Sequence, residues 1–255
     1  MQSHSKPTII LVHGAWHNAI YWEEYFAPWL REQGYNVVCP DLPGHHTTAG
    51  TKRIPWYSIN DYTDHVAKVV AQPKGPVVVV GHSMGGHVTQ KIMEHRPANL
   101  VGAGLIASVP PKGVLGVVFT LLTKHPLKLL QATLTMNMYR LLDSTQLAKE
   151  LLYTPSIKEP DLNKYYQWIQ NESFRAFLDM MLLNLPNPAR VDPALPKWIV
   201  GAEQDLLFPP KTVQQTAAAY GVTATIYKDM AHSSPVLEEG WQTVAKDLHD
   251  WITTL

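Results

Sequence analysis

A serine flanked by glycines follows a run of valines near residue 80. Residues 81–86 read Gly-His-Ser-Met-Gly-Gly, and Val77–Val80 come directly before them. This is a G-x-S-x-G pattern behind a strand, in which small residues two positions before and after the serine permit a sharp strand-to-helix turn. Such a turn would present Ser83 as a nucleophile and point helix amides at the place where negative charge develops. A glycine-rich turn with an ordinary surface serine is the alternative.

A serine hydroxyl needs a base within hydrogen-bonding reach, and the base needs an acid that orients it. In a parallel sheet, reactive groups gather at the carboxyl ends of strands. Asp205 follows the apolar run 198–200, and His232 follows the last apolar run of the chain. Histidine suits the role of base because its reference pKa is about 6.5. We therefore predict Asp205 as the acid and His232 as the base, with Glu203 as a competing acid.

Acyl transfer also needs two amide donors for the oxyanion. The N–H of Met84, directly after the serine, supplies one. The other is expected from the loop His13–Trp16 after the first strand, where Gly14 allows a tight turn that points the Ala15 N–H inward. Trp16 is predicted to form a wall of the substrate pocket.

The elements that must position these groups alternate along the chain. Short apolar runs are separated by helical patterns, which is typical of a parallel sheet with helices on both faces. The predicted strands cover residues 8–12, 37–38, 77–80, 101–107, 197–200 and 222–227. Asp61 is predicted to cap the helix that carries Tyr62, and the final helix is predicted to run without a break from Leu237 to Trp251.

The alternation stops between Pro111 and Pro188, where no strand pattern occurs and prolines separate short helical patterns. A segment of this length is too long for a loop. We therefore predict an α/β core domain of residues 1–110 and 188–255 with an inserted helical lid of residues 111–187. Methionine fits adaptable apolar pockets, so Met136 and Met181 are candidate pocket residues.

Composition narrows the possible partners. The chain has 255 residues, 45% of them hydrophobic and 16% charged, with a formal net charge of zero. This argues against nucleic acid or an acidic membrane as the main partner and favours a small apolar molecule. We expect no membrane span and a cytoplasmic location, because neither a signal core nor a long apolar segment is present. The oligomeric state stays open.

No cofactor or metal is expected. The first strand is not followed by G-x-G-x-x-G, and the sequence has no phosphate-binding loop. His45 and His46 are adjacent, so their side chains would rarely reach one ion, and no carboxylate partner is evident in the sequence. The single cysteine, Cys39, excludes an intrachain disulfide and is expected to be a buried thiol.

Together, these residues resemble the α/β-hydrolase superfamily over nearly the whole chain. The resemblance rests on the loop His13–Trp16, the loop Asp41–His45 and the elbow at 81–86, followed by Asp205 and His232 in the order serine, acid, histidine. It implies that the last two residues complete a triad with the serine, and that segment 111–187 is a lid over the site. It also implies an oxyanion hole formed by the amides already named.

The resemblance does not fix the reaction. A serine at position 83 argues against haloalkane dehalogenases and epoxide hydrolases, which use aspartate there. The sequence His-Gly-Ala-Trp at 13–16 resembles plant esterases and hydroxynitrile lyases, but the threonine and lysine typical of the lyases are not located. We expect a serine hydrolase that cleaves small to medium apolar esters through an acyl-enzyme. A lactonase, a carbon–carbon bond hydrolase and a small-molecule receptor that retains the triad stay open.

Overall fold

A computed structural model describes residues 6–45 and 51–255 of the chain. In this part, six strands form one parallel sheet in the order β2-β1-β3-β4-β5-β6. The strands are β1 (Thr8–Val12), β2 (Val37–Val38), β3 (Val77–His82), β4 (Leu100–Ile106), β5 (Lys197–Ala202) and β6 (Ala224–Tyr227). Each predicted strand is present, with ends that shift by one or two residues.

Alternate residues of the central strands point to opposite faces of the sheet and pack into two hydrophobic cores. Ile9 and Leu11 of β1 pack into one core, whereas Ile10 and Val12 pack into the other. Successive side chains of a strand point to opposite faces of the sheet. Since both sets are buried here, water is excluded from both faces, as in parallel sheets that helices cover on each side. The predicted α/β architecture, with a parallel sheet between two layers of helices, is confirmed.

Twelve α-helices surround the sheet in the described residues. They are α1 (Ile20–Glu23), α2 (Phe26–Glu32), α3 (Ile59–Val70), α4 (Met84–His95), α5 (Leu115–Lys124), α6 (Pro126–Thr135), α7 (Thr145–Leu152), α8 (Glu159–Tyr166), α9 (Phe174–Leu178), α10 (Pro210–Ala219), α11 (Ser234–Leu237) and α12 (Trp241–Ile252). Residues from α2 and α12 pack on one face of the sheet, and residues from α3, α4 and α10 pack on the other.

Two helix predictions were wrong in detail. Ser58, not Asp61, caps α3: the Ser58 hydroxyl accepts the Asp61 N–H, and the Asp61 carboxylate accepts the Ser58 N–H. This reciprocal pair is a capping box. The final helix is also broken, because Gly240 adopts φ 97° between α11 and α12. Leu237 therefore lies on α11, and the apolar face of α12 begins at Trp241.

Segment 111–187 is entirely described and contains helices α5–α9 without a strand. A turn of π-helix, Asp179–Leu183, follows α9 directly. The segment lies between β4 and β5 in the chain, and its buried side chains join the core of the sheet. Helices α5 and α6 bury little, Leu121 in the first and Ala132 in the second. The described helices include none long and apolar enough to cross a membrane.

Candidate active site

The glycine-flanked serine lies on a strained turn between β3 and α4. Ser83 adopts φ 54° and ψ −118°, a region that costs a non-glycine residue roughly 1–3 kcal/mol. The turn is so tight that a Cβ on Gly81 would lie 2.1 Å from the carbonyl oxygen of Gly85. A Cβ on Gly85 would lie 2.2 Å from the carbonyl oxygen of Val12. The two glycines thus permit the approach of α4 to β3 and β1 that lifts the serine.

Asp205 and His232 meet at the carboxyl ends of β5 and β6. The Asp205 Oδ2 and His232 Nδ1 atoms are 2.8 Å apart, and both side chains are buried. The other carboxylate oxygen of Asp205 accepts the N–H groups of Leu207 and Phe208 at 2.8 and 2.9 Å, which fixes its orientation. Glu203 instead accepts the N–H of Asp229 on the exposed side of the loop.

The imidazole of His232 lies beside the elbow. Its ring centroid is 4.7 Å from that of His82, the residue directly before Ser83, and His82 Nε2 donates to the His232 carbonyl oxygen at 3.0 Å. Because Nδ1 of His232 is engaged by Asp205, Nε2 is the ring nitrogen left for a substrate-side partner. Among the hydrogen bonds of the described residues, none joins Ser83 Oγ to that nitrogen, a contact that often tightens only when substrate binds.

The two predicted oxyanion amides belong to segments that touch at the serine. A Cβ on Gly14 would lie 3.0 Å from the Ser83 Cβ, so the loop after β1 passes directly beside the nucleophile. Met84 is the first residue of α4, where amides have no intrahelical acceptor. In the described chain, the backbone hydrogen bonds include none donated by the Ala15 or Met84 N–H.

Three histidines around these segments are held neutral by burial. Desolvation lowers the pKa of His17 to about 4 and those of His13 and His82 well below the ordinary value. His13 Nδ1 donates to the Gly14 carbonyl oxygen and its Nε2 accepts the Leu42 N–H, so it joins the loops after β1 and β2. Their role is to shape the backbone around the serine.

The predicted pocket residues differ in their positions. Trp16 is half-buried and packs against both cores, with its indole N–H donating to the Met138 carbonyl oxygen. Met181 packs against the core that also contains Ala15. Met136, after α6, is 37% exposed, which does not fit the wall of a closed pocket.

Two cavities adjoin the loop that carries the acid. One of about 1010 Å³ lies between α7, α8 and this loop, and its lining includes Tyr153 and Asp205. A second, of about 580 Å³, is lined mostly by apolar residues that include Leu115, Leu207 and Phe208. The Phe208 ring centroid is 5.5 Å from that of His232, so Phe208 borders both this cavity and the predicted base.

Sequence reasoning missed two groups that contact the site. His82 fills an unrestricted position of the serine motif, so nothing in the pattern marks its bond to the loop of His232. Glu172 is a buried carboxylate on segment 111–187 that reaches the Trp16 N–H, and no motif surrounds it. Both contacts join positions that are far apart in the chain, which local patterns do not show.

No group of three or more metal-ligating side chains occurs in residues 6–45 and 51–255. Within the adjacent pair considered for a metal, His45 Nε2 contacts Glu172 at 2.8 Å, and His46 lies outside the described residues.

Comparison with known proteins assigns the chain to a family. The sequence profile described as the alpha/beta hydrolase family matches residues 9–247, and the chain belongs to that family. Pyrethroid hydrolase of Sphingobium wenxiniae is 32% identical over 101 residues, which cover 40% of this chain and 35% of the relative. Norfluorocurarine synthase 1 of Strychnos nux-vomica is 37% identical over 108 residues, covering 41% and 40%. In these matches the chain spans well under half the length of each curated relative.

Similarity of fold extends over the whole chain. The crystal structure of polyneuridine aldehyde esterase superposes with a TM-score of 0.71, covering 96% of this chain and all of that one, at 19% sequence identity. At this identity the superposition shows a shared fold.

Proposed function

We propose that this chain is a serine hydrolase that cleaves small to medium apolar carboxylic esters through an acyl-enzyme. The observation that carries the proposal is the 2.8 Å contact between Asp205 and His232, placed beside a serine on a strained elbow. A buried carboxylate that orients an imidazole next to an activated hydroxyl is the arrangement that acyl transfer requires. Membership of a hydrolase family and a relative named a hydrolase support it.

In this mechanism His232 Nε2 removes the proton of Ser83 as the hydroxyl oxygen attacks the ester carbonyl. The Ala15 and Met84 amides hold the oxyanion of the tetrahedral intermediate. His232 then protonates the leaving alcohol, and a water molecule, activated by the same nitrogen, releases the acid. Asp205 keeps the proton of the imidazole on Nδ1 and stabilises the cation that forms in each half of the reaction.

The substrate class follows from the surroundings of the base. The cavity of about 580 Å³ beside Phe208 is mostly apolar, and segment 111–187 supplies part of its lining. An apolar acyl or alcohol group would be desolvated there without loss of hydrogen bonds. We assign segment 111–187 the role of a lid on the same grounds. Trp16 and Met181 are assigned the role of pocket wall because both are half-buried and pack against the core that contains Ala15.

The first test is hydrolysis of p-nitrophenyl esters with short and medium acyl chains. We expect clear turnover by the wild type and a loss of at least about 10⁴-fold in Ser83→Ala, because the covalent step is removed. An alkyl fluorophosphonate should add one label to the wild type and none to this variant. Equal rates for the two proteins, or turnover of lactones or β-diketones in place of simple esters, would contradict the proposal.

The choice of acid has its own test. Asp205→Asn should lower kcat by about 10³–10⁴-fold, because the amide favours the wrong tautomer of the imidazole. Glu203→Gln, a matched change two residues away, should leave kcat within about twofold, because its carboxylate contacts only a backbone amide on the far side of the loop. A crippled Glu203→Gln beside an active Asp205→Asn would reverse the assignment.

A further inference from the structure

Trp16, the residue after the proposed oxyanion donor Ala15, has an unusual backbone conformation. Its φ is 65°, in the left-handed region that a bulky side chain rarely adopts. Such a conformation costs roughly 1–3 kcal/mol and persists only where surrounding contacts hold it. The Ala15 N–H that would bind the oxyanion lies in the peptide between Gly14 and Ala15, one Cα away from the peptide whose N–H belongs to Trp16. Contacts that fix Trp16 therefore also restrict the direction of that amide.

The contacts that hold Trp16 come from segment 111–187. The Trp16 N–H donates to Glu172 Oε2 at 3.2 Å, its carbonyl oxygen accepts the Gln170 N–H at 2.9 Å, and its indole N–H donates to Met138 at 3.1 Å. The Gln170 side chain also donates to the His17 carbonyl oxygen. These three contacts fix Trp16 from residues more than 120 positions away, whereas the rest of the loop is also held by His13 and His17.

Glu172 is the charged member of this clamp, and it is 1% exposed. Its Oε2 also contacts His45 Nε2 at 2.8 Å, and its Oε1 accepts the Tyr62 hydroxyl at 3.0 Å and the Ser173 N–H at 2.6 Å. Burial lowers the pKa of His45, but the Glu172 carboxylate together with backbone hydrogen bonds raises it above the ordinary value. A buried carboxylate with every partner in place is costly to assemble and rigid once formed.

A simpler role for Glu172 is to fasten segment 111–187 to the core. Asp179 performs that role in the same segment: it is also 1% exposed, and its Oδ2 accepts the Ile59 N–H at the start of α3. Asp179, however, has no recorded contact with the loop 13–17. The two carboxylates match in burial and segment but differ in whether they reach the proposed oxyanion hole.

We propose that Glu172 is a positioning residue for the oxyanion hole: its carboxylate holds Trp16 in the left-handed conformation that orients the adjacent Ala15 amide toward Ser83. This inference rests on the proposed function. It makes the helical segment part of the transition-state machinery, because the segment supplies the group that orients a donor of the core. Glu172 itself touches no substrate.

The test compares Glu172→Gln with Asp179→Asn, both measured with the best p-nitrophenyl ester. Loss of an aligned oxyanion donor should lower kcat of Glu172→Gln about 10–100-fold with KM within about twofold, because the interaction exists only in the transition state. Binding of an alkylboronic acid, whose tetrahedral adduct with Ser83 imitates the intermediate, should weaken by the same factor. Asp179→Asn should lower thermal stability to a similar extent and keep both kcat and boronate affinity within about twofold.

Failures of the two proposals can be told apart. If Ser83→Ala abolishes turnover but both carboxylate variants lose only stability, Glu172 is a structural tie and this inference is wrong. If Ser83→Ala retains turnover, the proposed function is wrong and this inference falls with it. Should Glu172→Gln not fold, Glu172→Asp keeps the charge while its shorter side chain withdraws the carboxylate from the Trp16 N–H, and kcat should fall about 3–10-fold. Unchanged kcat in that variant overturns the inference.

Discussion

Histidine side chains behind the serine elbow are buried in apolar surroundings, and this sets their charge. His87, in α4, donates its Nε2 proton to the Asn184 carbonyl oxygen, and burial lowers its pKa to about 4. His17 has the same pKa for the same first cause. His45 is the exception, because Glu172 lies against it and raises its pKa despite burial. Burial therefore keeps His17 and His87 neutral, whereas the contact with Glu172 favours the charged form of His45.

Acid should consequently destabilise the fold in a pH window that these buried histidines set. Between a folded pKa of about 4 and an unfolded pKa of about 6.5, the unfolded chain binds more protons, so stability falls as pH falls through this window. His45 acts in the opposite direction, since its raised pKa favours the folded state at low pH. Replacing His87 with Gln should flatten the slope of unfolding free energy against pH by up to about 1.4 kcal/mol per pH unit.

Urea unfolding at several pH values between these limits measures the slope. The control is His95→Gln, which removes an exposed histidine at the end of the same helix and should leave the slope unchanged. Parallel slopes for wild type and His87→Gln would show that His87 is solvated or charged in the folded state.

Among single residues, the sequence predicts those that follow strands but not those that connect distant loops. The positions of Asp205 and His232 after two strands were predictable, because local patterns locate the carboxyl edge of a parallel sheet. Glu172 was not, because its partners are placed by the packing of segment 111–187 on the loop after β1. The exposure of Met136 has a related cause: α6 turns its apolar residues outward, and sequence alone does not say which side of that helix meets the core.

Among the elements, the junction of β1, β3 and α4 is the one that brings the site together. Gly85 is the point where α4 approaches β1 closely, since a Cβ there would lie 2.2 Å from the Val12 carbonyl oxygen and 2.5 Å from that of His13. Backbone atoms cannot move aside as a flexible side chain can. The N-terminus of α4, which carries one of the proposed oxyanion amides, is thereby held against the loop that carries the other.

Gly85→Ala should therefore separate the two amides. We expect kcat to fall at least about 100-fold, with a lower melting temperature, because α4 must shift away from β1 to admit the methyl group. Gly116→Ala is the matched control: it adds a methyl group within α5, where no atom lies within 4 Å, and should improve helix propensity at no steric cost. Activity assays and thermal melts of the two variants decide this, and wild-type turnover in Gly85→Ala would show that the junction tolerates movement.

Element boundaries were predictable where the sequence carries its own signal. The apolar runs predict all six strands. Ser58 with Asp61 three residues later is the sequence signal of a capping box, and Gly240 is a signal for the break before α12. The π-helical turn after α9 has no such signal. Its Met180 carbonyl oxygen accepts the Val114 N–H, and a Cβ on Gly113 would lie 2.3 Å from the same oxygen. These contacts join residues that are far apart in the chain.

Across the whole molecule, segment 111–187 shares its apolar core with the sheet, but unequally along its length. Helix α7 buries Leu151 and Leu152, and these join the same cluster as β1 and α12. Helix α5 buries only Leu121, while Phe119 and Leu122 on its other faces are more than half exposed. Apolar burial is the main contribution to local stability, so the segment should divide into a part that unfolds with the core and a part that opens alone.

Hydrogen exchange should reveal that division, with amides of α5 and α6 exchanging at least about tenfold faster than those of α7, since each additional buried leucine contributes roughly 1.5–3 kcal/mol. Leu121→Ala and Leu151→Ala then separate local from global stability. Leu151→Ala should lower the global unfolding free energy by about 2–5 kcal/mol. Leu121→Ala should accelerate hydrogen exchange in α5 and leave the global unfolding free energy nearly unchanged. We expect this because α5 opens locally before the core unfolds. Equal losses in the two variants would mean that α5 belongs to the cooperative core, and that access to the serine requires more than the opening of that helix.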